Sequence, residues 1–288
     1  MSNRAQIRED ARKLNPIDDA LFIVMSEELE FCQEMLSVLL TDEKLIVLCH
    51  TPQKVIKNLQ GRSCTLDLEC ILGDGRHVGV EVQKADDDDH QRRVRYDGSL
   101  LSTNVTEPGT KFCDVPDVIM VFISKFDIFG GGHSRYHVDR IVREMDMPVD
   151  NGFQEIYINA SADDGTDIAD LMKIFTVDNE YDDERFPATS KIKRRFKETD
   201  EGVNKMCEII EKYKNEGIAE GIATGIAKGR VEGRAQGRAE GRAQGAAEKE
   251  HSMIISMLKN KISMEQIISI TGLTMEKITS IGKQAAVL

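Results

Sequence analysis

The 288-residue chain lacks an excess of positive charge: 38 Lys and Arg stand against 50 Asp and Glu, a formal charge of −12. A generally basic nucleic-acid coat is thereby excluded. Long apolar runs are also lacking. The longest, Val118 to Ile123, is about six residues against the roughly 20 needed to span a bilayer, so no membrane partner is expected. The charged opening MSNRAQIREDARK is not followed by an apolar segment with a small-residue cleavage site, which makes the cytoplasm the expected compartment. No CxxC occurs among the six cysteines, at 32, 49, 64, 70, 113 and 207, and they are read as reduced core residues. His133 and His137 are spaced i, i+4, but three glycines precede them and no HExxH surrounds them, so a zinc site is not expected there.

A composition of 40% hydrophobic and 31% charged residues is that of a soluble globular protein of about two domains. Apolar residues recur at helical spacing from Leu21 through Leu40, predicting one or two helices after Asn15-Pro16. From Ser63 the period becomes two, in SCTLDLECIL, then GDG, then RHVGVEVQ, which predicts a β-hairpin. A helix over HQRRVRYDGSLLSTNV follows, then a buried strand near 117–126, a strand at 154–159 and a helix over DIADLMKIF. This order implies one α/β domain.

Eight glycines recur every fourth residue from Gly217 to Gly245. On a straight helix such a seam drifts about 40° per repeat, and its glycines cost roughly 8 kcal/mol relative to alanine, while the missing side chains permit close backbone approach. Pairing in a homodimer is the expectation, with a partly helical tether as the alternative. The tail carries two helical periods around Thr271-Gly272-Leu273, with Ser263 and Thr274 as predicted N-caps, the outline of a helix-turn-helix. Its second helix offers only Lys277 and Lys283 to a phosphate backbone.

The hairpin carries the chemistry. A two-residue loop at Asp74-Gly75 would force the apolar sets of the two strands onto opposite faces, whereas the three-residue loop Gly73-Asp74-Gly75 brings Leu66, Leu68, Cys70, Leu72, Val78, Val80 and Val82 to one face. Asp67 then stands opposite Glu81, with Gln83 one step along and Glu69 opposite Gly79. Facing carboxylates repel unless a cation or a proton lies between them, and a hard divalent cation with phosphate oxygens resolves the repulsion. The other reading of Asp67, Glu69 and Glu81 is a solvated sheet face.

LDLECILGDGRHVGVEVQ resembles the core of the PD-(D/E)XK nuclease superfamily, in its transposase-like branch that includes the recombination-promoting nucleases, whose signature is D, a hairpin, then ExQ. The resemblance extends to Asp19–Phe22, to Arg92 and Tyr96, to VPDVIMVFISKFDIFGGG, to Tyr136, Asp150-Asn151-Gly152 and Ile158-Asn159, and to the glycine repeat and tail. It implies a restriction-endonuclease-like mixed sheet flanked by helices, with a C-terminal helical extension. The corresponding divisions are a nuclease core over 1–205, a linker or oligomerisation helix over 206–250, and a small helical module over 251–288. It further implies a metal-dependent DNA endonuclease associated with recombination or mobile elements. Asp67 and Glu81 would bind Mg²⁺ or Mn²⁺, Gln83 would stand where the wider motif has lysine, and Arg92, Arg93 and Tyr96 would meet DNA. Arg92, Arg93 and Arg95, with Lys191, Lys193, Arg194, Arg195 and Lys197, are the expected basic patches. The alternative is an inactive descendant that binds DNA or assembles through the repeat and tail.

Overall fold

The segment Val118–Ser124 is apolar at almost every position because it is buried on both faces of a sheet, the pattern of a parallel strand covered from two sides. In the computed structural model, which describes residues 3–58 and 60–287, this segment is β4. It lies in a six-stranded sheet in the order β1-β2-β3-β4-β8-β5. The strands are β1 (Val47–Ile56), β2 (Cys64–Leu72), β3 (His77–Gln83), β4, β8 (Phe153–Asn159) and β5 (Arg135–Val138). β1, β2 and β3 are antiparallel, β3, β4 and β8 are parallel, and β5 returns antiparallel. A separate two-stranded ribbon joins β6 (Arg140–Val142) to β7 (Met147–Val149).

The first face of the sheet is covered by α2 (Asp19–Met25), α3 (Leu29–Leu39), α5 (Asp167–Thr176) and α6 (Pro187–Glu198), whose apolar sides pack on Leu68, Cys70, Val80, Val121 and Ile158. The opposite face is covered by α4 (His90–Val105), which crosses from β3 to β4 and packs Val94 and Leu101 on Leu66, Met120, Phe122 and Tyr157. α4 lies close because two glycines allow it. A Cβ on Gly98 would fall 2.5 Å from the Phe153 ring, and one on Gly79 would fall 2.8 Å from the Met120 sulfur. α1 (Asn3–Lys13), a helix the sequence reading did not predict, is tied to the start of α7 (Asp200–Lys259) by Arg8, which meets Asp200 and Asn204. β1 was likewise not predicted. It contains Pro52, which an edge strand tolerates.

The hairpin register is the one parity requires: Leu68 pairs with Val80, Glu69 with Gly79, Cys70 with Val78 and Ile71 with His77, and Gly75 adopts φ +89° in the loop. One residue departs from the single apolar face. Leu66 joins the α4 side while Leu68, Cys70 and Leu72 lie on the other, and beside it Gln53 of β1 sits at φ +50°. The expected basic patch of α6 is also corrected. Lys193 is wholly buried and donates to the carbonyls of Ile174, Val177 and Glu180; Lys197 is buried on Leu14 O, Asn15 and Asp178; Arg194 and Arg195 pair with Asp183 and Glu28. Of the cysteines, 32, 70 and 207 are buried, whereas 49 and 113 are exposed.

The chain divides into two units after Tyr213, later than the composition predicts, because Val203, Met206 and Cys207 of α7 still belong to the main core. Through the repeat the glycines are helical, and a Cβ on any of them from Gly217 to Gly245 would meet no other atom within 4 Å. In the second unit, α8 (Met264–Thr271) is capped by Ser263 in a capping box with Gln266 and closed by Gly272 in the left-handed conformation, and α9 (Met275–Gln284) is capped by Thr274. Ile254, Ile267, Ile278 and Ile281 form its small core. Among the described residues no helix is long and apolar enough to cross a membrane.

Gly98→Ala tests the close approach of α4. Alanine favours a helix interior by about 1 kcal/mol, yet we expect a net loss of about 1–3 kcal/mol from overpacking against Phe153, read as a lower denaturation midpoint. A gain in stability would show that α4 is not held against Phe153.

Candidate active site

Glu81 lies on β3, between β2 and β4, and its side chain is 1% exposed. The β2–β3 pairing runs as far as Leu68 and Val80, and just beyond it Asp67 and Glu81 lie near enough for the charge of Asp67 to act on Glu81. Here the ladder changes partner: Asp67 Oδ2 accepts the Val82 N–H at 2.8 Å, and Oδ1 accepts Gln53 Nε2 at 3.3 Å. A side chain thus takes the hydrogen bond that a backbone carbonyl would take in a regular strand, and it fixes the Asp67 carboxylate at the end of β3.

Arg93, one turn into α4, reaches down to this carboxylate pair. Its Nη2 meets Glu81 Oε2, its Nη1 donates to Gln83 Oε1 at 3.0 Å, and its Nε lies 3.6 Å from Asp97 Oδ2. The other Glu81 oxygen, Oε1, is buried with no hydrogen-bond partner. Gln83 is held from its amide end, Nε2 donating to Ala85 O at 3.0 Å and to Asp87 at 3.2 Å. Asp19, at the exposed start of α2, adds a further negative charge that acts on both Asp67 and Glu81.

The charges do not balance. Arg93 is the cation common to Asp19, Asp67, Glu81 and Asp97, with Lys84 acting also on Asp19 and Arg62 on Asp97, and every one of these carboxyls is pushed up from its ordinary value. Burial is the largest cause for Asp67, which rises to about 6, and the charge of Asp19 adds to it. Burial also leads for Glu81, raised well above the usual range, with Asp67 next. Asp97 and Asp19 are raised by loss of solvent, with Arg93 opposing both shifts. Cys64, beside Asp97, is pushed up to about 12 by burial and by that carboxylate.

Other residues singled out by sequence lie elsewhere. Arg92 is exposed and pairs with Asp89, the N-cap of its own helix. Tyr96 ties α4 to the preceding loop, donating to Arg62 O and accepting from Asn58. Arg93 alone of the three touches the carboxylates, as its place beside the inward row Val94, Gly98 and Leu101 allows. Glu69 is not solvated. It is buried between Lys54 at 2.6 Å and His77 at 3.1 Å, and its pKa falls despite burial because both neighbours donate to it. Lys84 points away from Gln83 and pairs with Asp18. Asp127 and Tyr136 build a turn, the carboxylate accepting from the N–H groups of Phe129, Gly130 and Gly132 and from the tyrosine hydroxyl. Sequence reasoning missed Asp97, whose i, i+4 spacing from Arg93 was the available signal, and gave Asp19 no role at the site.

Among the described residues no group of three or more His, Cys, Asp and Glu side chains is arranged as a metal-ligand set. The hard oxygens nearest to such a set are those of Asp67, both accepting hydrogen bonds, and of Glu81, whose Oε1 is buried without a partner; two carboxylates are the donors that could hold a hard divalent cation here. No family model matches the chain, and neither a curated protein nor a solved structure matches it.

The raised carboxyls give stability a definite pH dependence. The folded Asp67 keeps its proton up to about pH 6, whereas the unfolded residue releases it near 3.8, so ionisation destabilises the fold progressively between those values and fully above them. In the presence of EDTA, Asp67→Asn is expected to be more stable than wild type by about 2 kcal/mol at pH 8, with the difference vanishing near pH 4. Denaturant unfolding across that range checks it, and equal stability at pH 8 would contradict the charge imbalance.

Proposed function

We propose that the protein is a metal-dependent DNA endonuclease of the PD-(D/E)XK type, with Asp67, Glu81 and Gln83 at the centre of its site. The observation that carries this reading is the buried Glu81 Oε1, which has no hydrogen-bond partner although Arg93 meets Oε2, with the charge of Asp67 close by. A buried carboxylate oxygen left without a donor is costly, and a cation would satisfy it. Mg²⁺ bound by these two carboxylates would polarise the phosphodiester and help ionise the attacking water. Asp67 holds its place through the Val82 N–H, so its carboxylate keeps its aim whether or not an ion is bound. Gln83, anchored through its amide nitrogen, presents Oε1 toward the reacting groups and orients water or phosphate without contributing charge.

The DNA substrate rests on the sequence resemblance and on the chemistry of the site. Net charge −12 and the burial or pairing of the α6 cations argue for weak, strongly salt-sensitive binding. Nicking of supercoiled plasmid at low salt, with Mg²⁺ against EDTA, tests the proposal. Wild type is expected to nick only with metal, Asp67→Ala and Glu81→Ala to lose at least about a hundredfold, and Gln83→Ala to lose less. Absence of nicking by folded wild type with both Mg²⁺ and Mn²⁺, or full activity in both carboxylate variants, would overturn it. The first outcome would favour the non-enzymatic alternative.

A further inference from the structure

Arg93 stands in an unusual position for a residue that would meet DNA. Its guanidinium faces inward, on Glu81 Oε2 and Gln83 Oε1, where the carboxylates most need a cation. Two of its three nitrogens are committed there, while Nε rests against Asp97, four residues along the same helix face. The two ends of this grip differ. The Arg93 side chain is 36% exposed, whereas that of Asp97 is 6% exposed in the wall of α4, with the Cys64 thiol as a second partner.

We propose that the Arg93 guanidinium is a built-in substitute for the divalent cation, exchanged when metal binds, and that on release it pivots about Asp97 to take up the phosphodiester. The inference rests on the nuclease reading above and adds to it a role for one side chain. Three observations carry it. Glu81 divides its oxygens, Oε2 to Arg93 and Oε1 to no partner, so a metal that takes both must compete with the guanidinium for the first. Gln83 Oε1 is the acceptor for Arg93 and becomes free when Arg93 leaves, while Nε2 keeps the side chain in place. Gln83 is neutral, so a cation arriving from α4 supplies the positive charge that the strand itself does not place beside the scissile group. A planar, permanently charged fork suits both halves of the exchange, since it binds a carboxylate and a phosphate in the same geometry.

The exchange predicts opposite effects of one substitution on metal and on DNA. Mn²⁺ binding to the full-length protein, without DNA, at pH 8 and low salt, is measured by the loss of the free-ion electron paramagnetic resonance signal. Arg93→Gln is expected to bind Mn²⁺ about tenfold more tightly than wild type, because a like charge has been removed from the site, and Glu81→Gln to bind at least about tenfold more weakly. In plasmid nicking the same Arg93→Gln protein is expected to lose about a hundredfold at saturating metal. Tighter metal binding with lost nicking supports the exchange. Mn²⁺ affinity equal to or weaker than wild type, or nicking at the wild-type rate, overturns it and leaves the nuclease reading standing. No Mn²⁺ binding by either folded protein overturns both. Should Arg93→Gln not fold, Arg93→Lys carries the test, since a point charge cannot bridge Glu81 and Gln83 as the fork does. A fewfold gain in Mn²⁺ affinity then supports the exchange, and no gain refutes it.

Discussion

The ion pair between Glu81 and Arg93 is the interaction on which this arrangement turns. Glu81 projects from β3 into the space beneath α4, where no solvent reaches it, and an uncompensated carboxylate there would cost several kcal/mol. α4 lies close enough to place a guanidinium on it because Gly98 and Gly79 remove two side chains from the interface. Asp97 then holds the other edge of the same guanidinium. The packing of one helix against one sheet and the electrostatics of the site are therefore the same problem, solved by five residues of which two are glycines.

The compensation is incomplete. One positive charge serves Glu81 and Asp97, with Asp67 and Asp19 in the same field, and the shortfall shows in carboxyls raised together. Perturbed groups clustered in this way are typical of functional sites, although ion-pair networks of structural origin also perturb. The contrast within the same sheet is informative. Glu69, also buried but less deeply enclosed, is raised by burial and yet lowered overall, because Lys54 and His77 both donate to it.

The register of the hairpin was legible from Leu68 and Val80 to the turn because period-two alternation and Gly73-Asp74-Gly75 leave one way to collect the apolar residues. Leu66 was not, because its crossing to the α4 side depends on an irregularity in β1 at Gln53 that local sequence does not announce. The N-caps at Ser263 and Thr274 were legible from local chemistry alone, since a hydroxyl accepting the N3 N–H needs no tertiary context. The buried lysines of α6 were opaque for the opposite reason: Lys193 and Lys197 serve carbonyls at the end of α5 and before α2, partners distant in sequence. On α4, the spacing of Arg92 and Tyr96 is a true helix-face relation, and that face lies away from the carboxylates, Arg92 beside Asp89 and Tyr96 on Arg62 and Asn58. In the repeat, Ile218, Ile222 and Ile226 are exposed, and among the described residues a Cβ on any of the eight glycines would meet nothing within 4 Å beyond its own stretch of helix.

Asp67 keeps up to about pH 6 a proton that an ordinary aspartate has lost, and a cation bound at the site would expel it. Proton release on metal binding measures that directly, by titrating Mn²⁺ into the full-length protein near pH 6 in buffers of differing ionisation enthalpy. Protons are expected to be released on binding at pH 6, with the release diminishing toward pH 8 as Asp67 ionises unaided. Binding with no proton released at pH 6 would contradict a raised Asp67 carboxyl.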